Sequence, residues 1–251
     1  MKQIESKKNP RVKQWKKLHT KKERDKTGLF FIEGEHLVEE ALKYKDFIKE
    51  LIVSESFTLP LNWNVDDVEL YLVPDEVMKE ISETETPQGV SAVCVQPTFK
   101  ESDMEMESIL LVDAVQDPGN LGTMIRTADA AGISGVILGE GSVDLFNSKV
   151  LRSSQGSIFH LPILKGNIGD WIHKLRGYGH TIYGTSLENG SPYQTVTTSR
   201  PFTLLVGNEG RGVNKEWLSF TNHNLYIPIH GKAESLNVAV ATGILLYYLR
   251  T

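Results

Sequence analysis

Two apolar runs near the C-terminus each stop abruptly in a polar loop, and the second loop opens a helix. The first run, Phe202-Thr-Leu-Leu-Val206, ends in Gly207-Asn-Glu-Gly-Arg-Gly212, with Glu209 as its one acid. The second, Leu225 to Ile229, leads into Gly231-Lys-Ala-Glu-Ser-Leu-Asn237 and an apolar helix beyond it. Short apolar runs bounded by glycine-rich turns read as strands. Two strand ends and a helix N-terminus at one sheet edge mark the place where open α/β proteins hold ligands, because unpaired amides and the helix dipole converge there. A third segment has the same grammar. Ile109-Leu-Leu-Val-Asp113 is a strand, Asp117-Pro-Gly-Asn120 a turn, and Asn120 to Gly132 a helix, with Asn120 suited to the N-cap and Gly132 to C′.

These three segments, in this order, closely resemble the three motifs of the SpoU/TrmH family of RNA ribose 2′-O-methyltransferases. The first is Asn-x-Gly-x-x-x-Arg from Asn120 to Arg126; the second is Phe202 to Val213; the third is Asn224 to Ile229 with Gly231 to Ala241. Upstream, Asn9-Pro-Arg-Val through Phe31-Ile-Glu-Gly-Glu, with Pro87-Gln-Gly-Val, resembles the substrate-binding domain that precedes many members. The resemblance covers nearly the whole chain. It implies a mostly parallel sheet closed by a deep trefoil knot, S-adenosylmethionine as methyl donor, and a homodimer formed through the knotted domain. It implies ribosomal RNA as substrate, because such an N-terminal domain accompanies members directed at rRNA. Transfer RNA, methylation of a base, and a non-catalytic assembly factor of the same fold are the alternatives.

The coarse element pattern agrees with an α/β chain in two parts. Strands and helices alternate over residues 1–96, the expected RNA-binding domain of ribosomal-protein-like fold. Gln96 to Ser108 carries Pro97, four acids and few large apolar residues, so 97–108 reads as a linker. From 109 to 251 the alternation resumes as the catalytic domain. Pro10 to about Lys26 reads as one helix, Asn147 to Gln155 as another, and Ser235 to about Leu249 as the last.

Charge is unevenly spread. The net charge of −5 argues against a nucleic-acid binder, yet residues 1–26 hold 11 Lys and Arg against 3 acids, for +8. The other 225 residues hold 16 basic and 29 acidic groups, for −13. A basic arm on an acidic body suits a polyanion, with a solvated helix face as the bland alternative. Lys7, Lys8, Arg11 and Lys13 are the candidate RNA contacts there. Trp15 among the lysines suits either RNA stacking or anchoring of the helix. Cys94 is the only cysteine, and the seven histidines show no metal-ligand spacing, so neither a disulfide nor a metal centre is expected. No apolar segment suits a signal peptide or a membrane span, and a cytoplasmic location is expected.

Transfer of a methyl group to a ribose 2′-hydroxyl needs the donor held in line, the oxygen in near-attack position and the proton removed. By the resemblance, Arg126 activates the hydroxyl. A guanidinium is too basic to accept the proton, so a phosphate clamp that polarises the hydroxyl is the easier role. An ion pair with Asp129 one turn away is the structural alternative. Asn120 would orient Arg126 or substrate besides capping; Glu209 would order the loops and the arginine. Ser235 is expected at the N-cap of the last helix with Asn237 in its first turn, both facing substrate. The resemblance places the cofactor against Gly207, Ile227 and Leu236, with Val206, Asn208, Ile229 and the strand end Thr185-Ser186-Leu187 nearby. Within Asn147 to Gly156, Lys149 and Arg152 are further candidates for RNA phosphate, a helix surface being the alternative.

Overall fold

A computed structural model describes residues 1–188 and 190–251, with Lys45 by its backbone alone. The chain forms two compact units, residues 1–98 with 144–159, and residues 99–143 with 160–251.

The first unit is built on a five-stranded mixed sheet in the order β1-β4-β3-β5-β2. Its strands are β1 (Lys2–Gln3), β2 (Leu29–Glu33), β3 (Ile48–Ser54), β4 (Glu69–Val73) and β5 (Val90–Val95). Its helices are α1 (Pro10–Lys17), α2 (Lys21–Thr27), α3 (Glu35–Leu42), α4 (Asp75–Ile81) and, from the later segment, α6 (Ser148–Ser154). The basic arm is two helices rather than one. Leu18 caps α1, and Thr20 restarts the chain by accepting the Glu23 amide as N-cap of α2.

Side chains of β2 alternate between the faces of this sheet. Phe31 joins Val12, Trp15, Ile52, Val77 and Met78 in one core. Phe30 meets Phe146 at a 4.7 Å ring separation and Phe159 at 6.3 Å, so residues 144–159 seal the other face. Trp15 is buried, lies edge-on to Tyr71 at 5.3 Å, and donates its indole N–H to Glu50 at 2.7 Å. It anchors α1 to the core. Arg24 is equally internal, its guanidinium bonded to Asp144 and to the carbonyls of Leu18 and His19.

The second unit is a seven-stranded sheet whose neighbouring strands all pair in parallel, in the order β10-β12-β9-β11-β6-β7-β8. Its strands are β6 (Ser108–Val112), β7 (Gly135–Leu138), β8 (Ile163–Lys165), β9 (Thr181–Thr185), β10 (Ser191–Pro192), β11 (Phe202–Val206) and β12 (His223–Tyr226). Its helices are α5 (Pro118–Ala130), α7 (Ile168–Gly177), α8 (Lys215–Ser219) and α9 (Val238–Leu249). Every residue of β6, β7 and β11 is buried, as a parallel sheet covered on both faces requires. Residues 99–108, expected as a linker, fold onto this unit. Met104 is buried against Gly135, and Glu101 is bound by Lys174 and the Tyr178 hydroxyl.

The chain lays β7 and β8 to one side of β6, then places β11 between β6 and β9. The order therefore reverses between β6 and β11, and the loops leaving their carboxyl ends open a crevice there. α9 packs along α5. Two bonds hold the pair in register: Asn237 to Asn120 near their N-termini, and the Tyr247 hydroxyl to the Ala130 carbonyl near their C-termini.

Candidate active site

The crevice at the β6/β11 switch is organised around Glu209. Its carboxylate accepts the amides of Gln116 at 3.1 Å and Asp117 at 2.9 Å, and the Asn120 side-chain amide at 3.0 Å. The Asn120 side-chain oxygen in turn accepts from the Asn237 amide at 2.8 Å. One carboxylate thus ties the loop after β11 to the loop after β6 and, through Asn120, to the start of α9. Desolvation pushes the Glu209 carboxyl upward, but the donors from Asn120, Asp117 and Gln116 outweigh it and hold the group below its ordinary value.

A depressed carboxyl contributes order that is present above its ordinary value and is lost as pH falls through the lowered one. Cofactor affinity is therefore expected to stay level down to about the ordinary glutamate value of 4.5 and to fall only below it. Calorimetric titration of Glu209→Gln, which cannot ionise, is expected to lack that acid limb; a limb at the same pH in this variant would assign it to another group.

The caps differ from expectation. Asp117 is the N-cap of α5, accepting the Asn120 amide at 2.8 Å, with Pro118 at N1. Asn120 is thereby released from capping, and its side chain is free to bridge Glu209 and Asn237. Asn237, not Ser235, caps α9 by accepting the Ala239 and Val240 amides. Ser235 lies in the exposed stretch 230–237 that precedes the helix. Gly132 does follow the α5 cap, at φ +63.

Arg126 stands apart from this network. Asp129, its proposed ion-pair partner, binds His160 at 2.7 Å. Arg126 is exposed, and among the described residues nothing bonds its guanidinium. An arginine without a structural partner, exposed on the same helix as Asn120, is available for an anionic substrate group. The structure thus joins Asn120, Glu209 and Asn237, and leaves Arg126 and Ser235 unattached.

Asn208 builds the loop from within. Its side-chain oxygen accepts the amides of Gly210 and Arg211, its amide donates to the Ala114 carbonyl at 2.9 Å, and its backbone exchanges two bonds with Gly212. Gly207 is needed for this return. A Cβ there would lie 2.2 Å from the backbone of Gly212 and Val213. The close approach inferred from the sequence is thus made by the loop itself. Ala114, which receives Asn208, sits at φ +55, strain of the kind that collects at functional loops.

The carboxyl ends of β9, β11 and β12 lie side by side beyond this loop. The Thr185 hydroxyl donates to the Leu205 carbonyl at 3.2 Å, and the Ser186 amide to Leu225 at 3.0 Å. Leu187, Ile227 and Ile229 follow these strands directly and Leu236 precedes α9; Leu187 and Leu236 are exposed, and Ile227 and Ile229 half-buried. Val206 is buried as core. Apolar side chains left open beside strand ends and backbone polar groups fit a flat heteroaromatic ring read by main-chain atoms. The residues present therefore fit the adenosyl group of S-adenosylmethionine.

Of the expected RNA contacts, Arg11 is committed to Glu50, and Arg152 donates to Glu33 at 3.2 Å. Lys7 makes an exposed pair with Glu76 at 3.4 Å. Lys149 is exposed on α6, and its amide bonds Asn147. Lys8 and Lys13 are exposed without an ion pair among the described residues, as are Lys17, Lys22 and Lys26. The last three were not singled out in the sequence, where nothing separates a paired lysine from a free one.

Fold and site together define an α/β protein whose strand ends and ordered loops meet at the carboxyl edge of a parallel sheet. The SpoU rRNA methylase family matches residues 107–247, and the MRM3-like substrate binding domain matches residues 9–92. A 23S rRNA (guanosine(2553)-2'-O)-methyltransferase of Bacillus subtilis, RlmP, is 53% identical over 250 residues, with 100% of both chains covered. An AdoMet-bound rRNA methyltransferase structure from Sinorhizobium meliloti is similar at a TM-score of 0.90 and 36% identity, covering 99% of this chain and 97% of that one. The SpoU methyltransferase AviRb from Streptomyces viridochromogenes, in complex with AdoMet, gives a TM-score of 0.85 at 28% identity, with 97% of each chain covered. The chain belongs to the SpoU rRNA methylase family. It is an S-adenosylmethionine-dependent RNA ribose 2′-O-methyltransferase.

Proposed function

We propose that the protein methylates the ribose 2′-hydroxyl of one guanosine in 23S ribosomal RNA, at the position corresponding to that of the Bacillus subtilis relative. Full-length identity of 53% to that relative is the observation that carries the substrate. The unit of residues 1–98 with 144–159 supplies RNA binding and that of 99–143 with 160–251 the catalysis, and the compartment is the cytoplasm. Incubation with 23S rRNA and methyl-labelled S-adenosylmethionine tests it. Label is expected in one alkali-resistant dinucleotide containing 2′-O-methylguanosine; label on a base, or only on transfer RNA, would overturn the reading.

Bound S-adenosylmethionine supplies an electrophilic methyl group on a sulfonium. Gly207, Asn208, Ile227, Ile229, Leu236 and the Thr185-Ser186-Leu187 strand end hold its adenosyl part. Glu209 fixes the loops through Asn120 and Asn237. Arg126 clamps a phosphate of the target nucleotide bidentately and polarises the 2′-hydroxyl, which favours loss of its proton. Ser235, free of capping, is positioned to hydrogen-bond ribose or phosphate.

The unpaired lysines of α1 and α2, with Lys8, provide the diffuse attraction for RNA. Deleting residues 1–26 is a poor test, because Val12, Trp15 and Arg24 belong to the interior. Charge-removing changes at Lys8, Lys13, Lys17, Lys22 and Lys26 are expected to lower the slope of log K against log salt by up to about 3.5, at roughly 0.7 per contact. An unchanged slope would remove the arm from RNA binding.

A homodimer through α9 is part of the same reading. Val240 and Tyr247 are exposed on a helix that is otherwise apolar. Sedimentation of the wild type as a dimer, and of Val240→Glu as a monomer, is expected; a monomeric wild type would contradict it.

A further inference from the structure

The first unit contains a cavity of about 320 Å³ that the catalytic account does not use. It lies at the start of α3, between the turn before β5 and the end of α6, and its walls include Glu33, His36, Gln88, Arg152 and Gln155. That volume is at the lower end of small-ligand pockets.

Its polar groups are fixed in advance. Glu33 accepts from Arg152 with one oxygen at 3.2 Å, and from the Ser82 hydroxyl and Glu83 amide with the other. Glu33 is therefore fully engaged, while the Arg152 guanidinium, about one third exposed, keeps further N–H donors. The Gln88 side-chain oxygen accepts the Glu35 amide at 2.8 Å, which leaves its NH₂ as a donor. The Gln155 NH₂ donates to the Arg152 carbonyl at 2.7 Å, which leaves its oxygen as an acceptor. Gln155 holds φ +50, a conformation glycine or asparagine usually takes at a helix end. His36 is exposed and makes no bond among the described residues. The wall thus offers a cation, an oriented amide donor, an oriented amide acceptor and an aromatic face.

A cation for phosphate, paired amides for a base edge and a ring for stacking are what single-stranded RNA recognition uses. We propose that this cavity is a subsite for one unstacked nucleotide of the RNA substrate. Its phosphate sits on Arg152, its base edge on Gln88 and Gln155, and its ring against His36. The proposal rests on the reading that RNA is the substrate.

Arg152→Gln and His36→Glu test it. Each is expected to weaken binding of a fluorescent 23S rRNA fragment about tenfold and raise KM for RNA, with kcat reached at saturating RNA and S-adenosylmethionine affinity kept. RNA carrying 4-thiouridine is expected to crosslink to peptides 33–37 or 86–91 in the wild type. Unchanged RNA affinity in His36→Glu, which loses no internal bond, would overturn the proposal even if Arg152→Gln misfolds. Binding of guanosine monophosphate to the cavity with RNA affinity intact in both variants would make it a small-molecule site instead. A wild type that crosslinks at the cavity but forms no 2′-O-methyl product would sink the proposed function and leave the subsite standing.

Discussion

Arg126→Ala is expected to lose methyl transfer by about 10²–10³-fold while S-adenosylmethionine binds with wild-type affinity. The split follows from where Arg126 stands. Its guanidinium has no partner among the described residues, and Asp129 is taken by His160. Truncation therefore orphans no carboxylate and leaves the Glu209–Asn120–Asn237 chain of bonds intact. What is lost is a charge that acts on the substrate when phosphate and ribose arrive. Arg126→Lys keeps the charge but not the bidentate fork, so it should recover only part of the rate. Single-turnover methylation alongside calorimetric cofactor binding separates the outcomes. Normal turnover in Arg126→Ala would remove the arginine from the chemistry, and lost cofactor binding would make its role structural.

Gly207→Ala is expected to abolish cofactor binding and cost about 2–3 kcal/mol of stability, a fall in Tm of roughly 5–10 °C. The added Cβ would sit 2.2 Å from the Gly212 and Val213 backbone, and no side-chain rotation relieves a clash with main chain. The loop must swing away, breaking the two bonds between Asn208 and Gly212 and drawing Glu209 off the Gln116 and Asp117 amides. Gly231→Ala is the control. Nothing lies within 4 Å of a Cβ at that position, so this variant should melt and bind as the wild type does. A Gly207→Ala protein with native Tm and cofactor affinity would show that the loop adapts and that its drawn geometry is not needed.

The parallel sheet was legible because its strands are short, mostly apolar runs, Ile109 to Val112 stopped by Asp113 and Phe202 to Val206 stopped by Gly207. Asn120, Glu209 and Asn237 were legible only through the resemblance; spacing in sequence cannot show that they bond one another across 89 and 117 positions. Helix caps were misplaced because Asp117 and Asn120, or Ser235 and Asn237, are equally good cap residues. Backbone dihedrals decide between them. The basic arm misled for a different reason. Arg11, Trp15 and Arg24 look like surface residues in a lysine-rich string, yet the acids that hold them, Glu50 and Asp144, lie 39 positions from Arg11 and 120 from Arg24. The placement of 144–159 in the first unit had no local signal at all, since it depends on Phe146 and Phe159 meeting Phe30. The trefoil knot came solely from the resemblance, because threading leaves no trace in local pattern.

A ribose-methylation map of ribosomal RNA from cells with and without this gene tests the central claim most directly. One lost 2′-O-methyl mark is predicted, on the 23S rRNA guanosine matching that of the Bacillus subtilis relative, restored by the wild-type gene and not by Arg126→Ala. An unchanged map, or a mark restored equally by Arg126→Ala, would contradict the account.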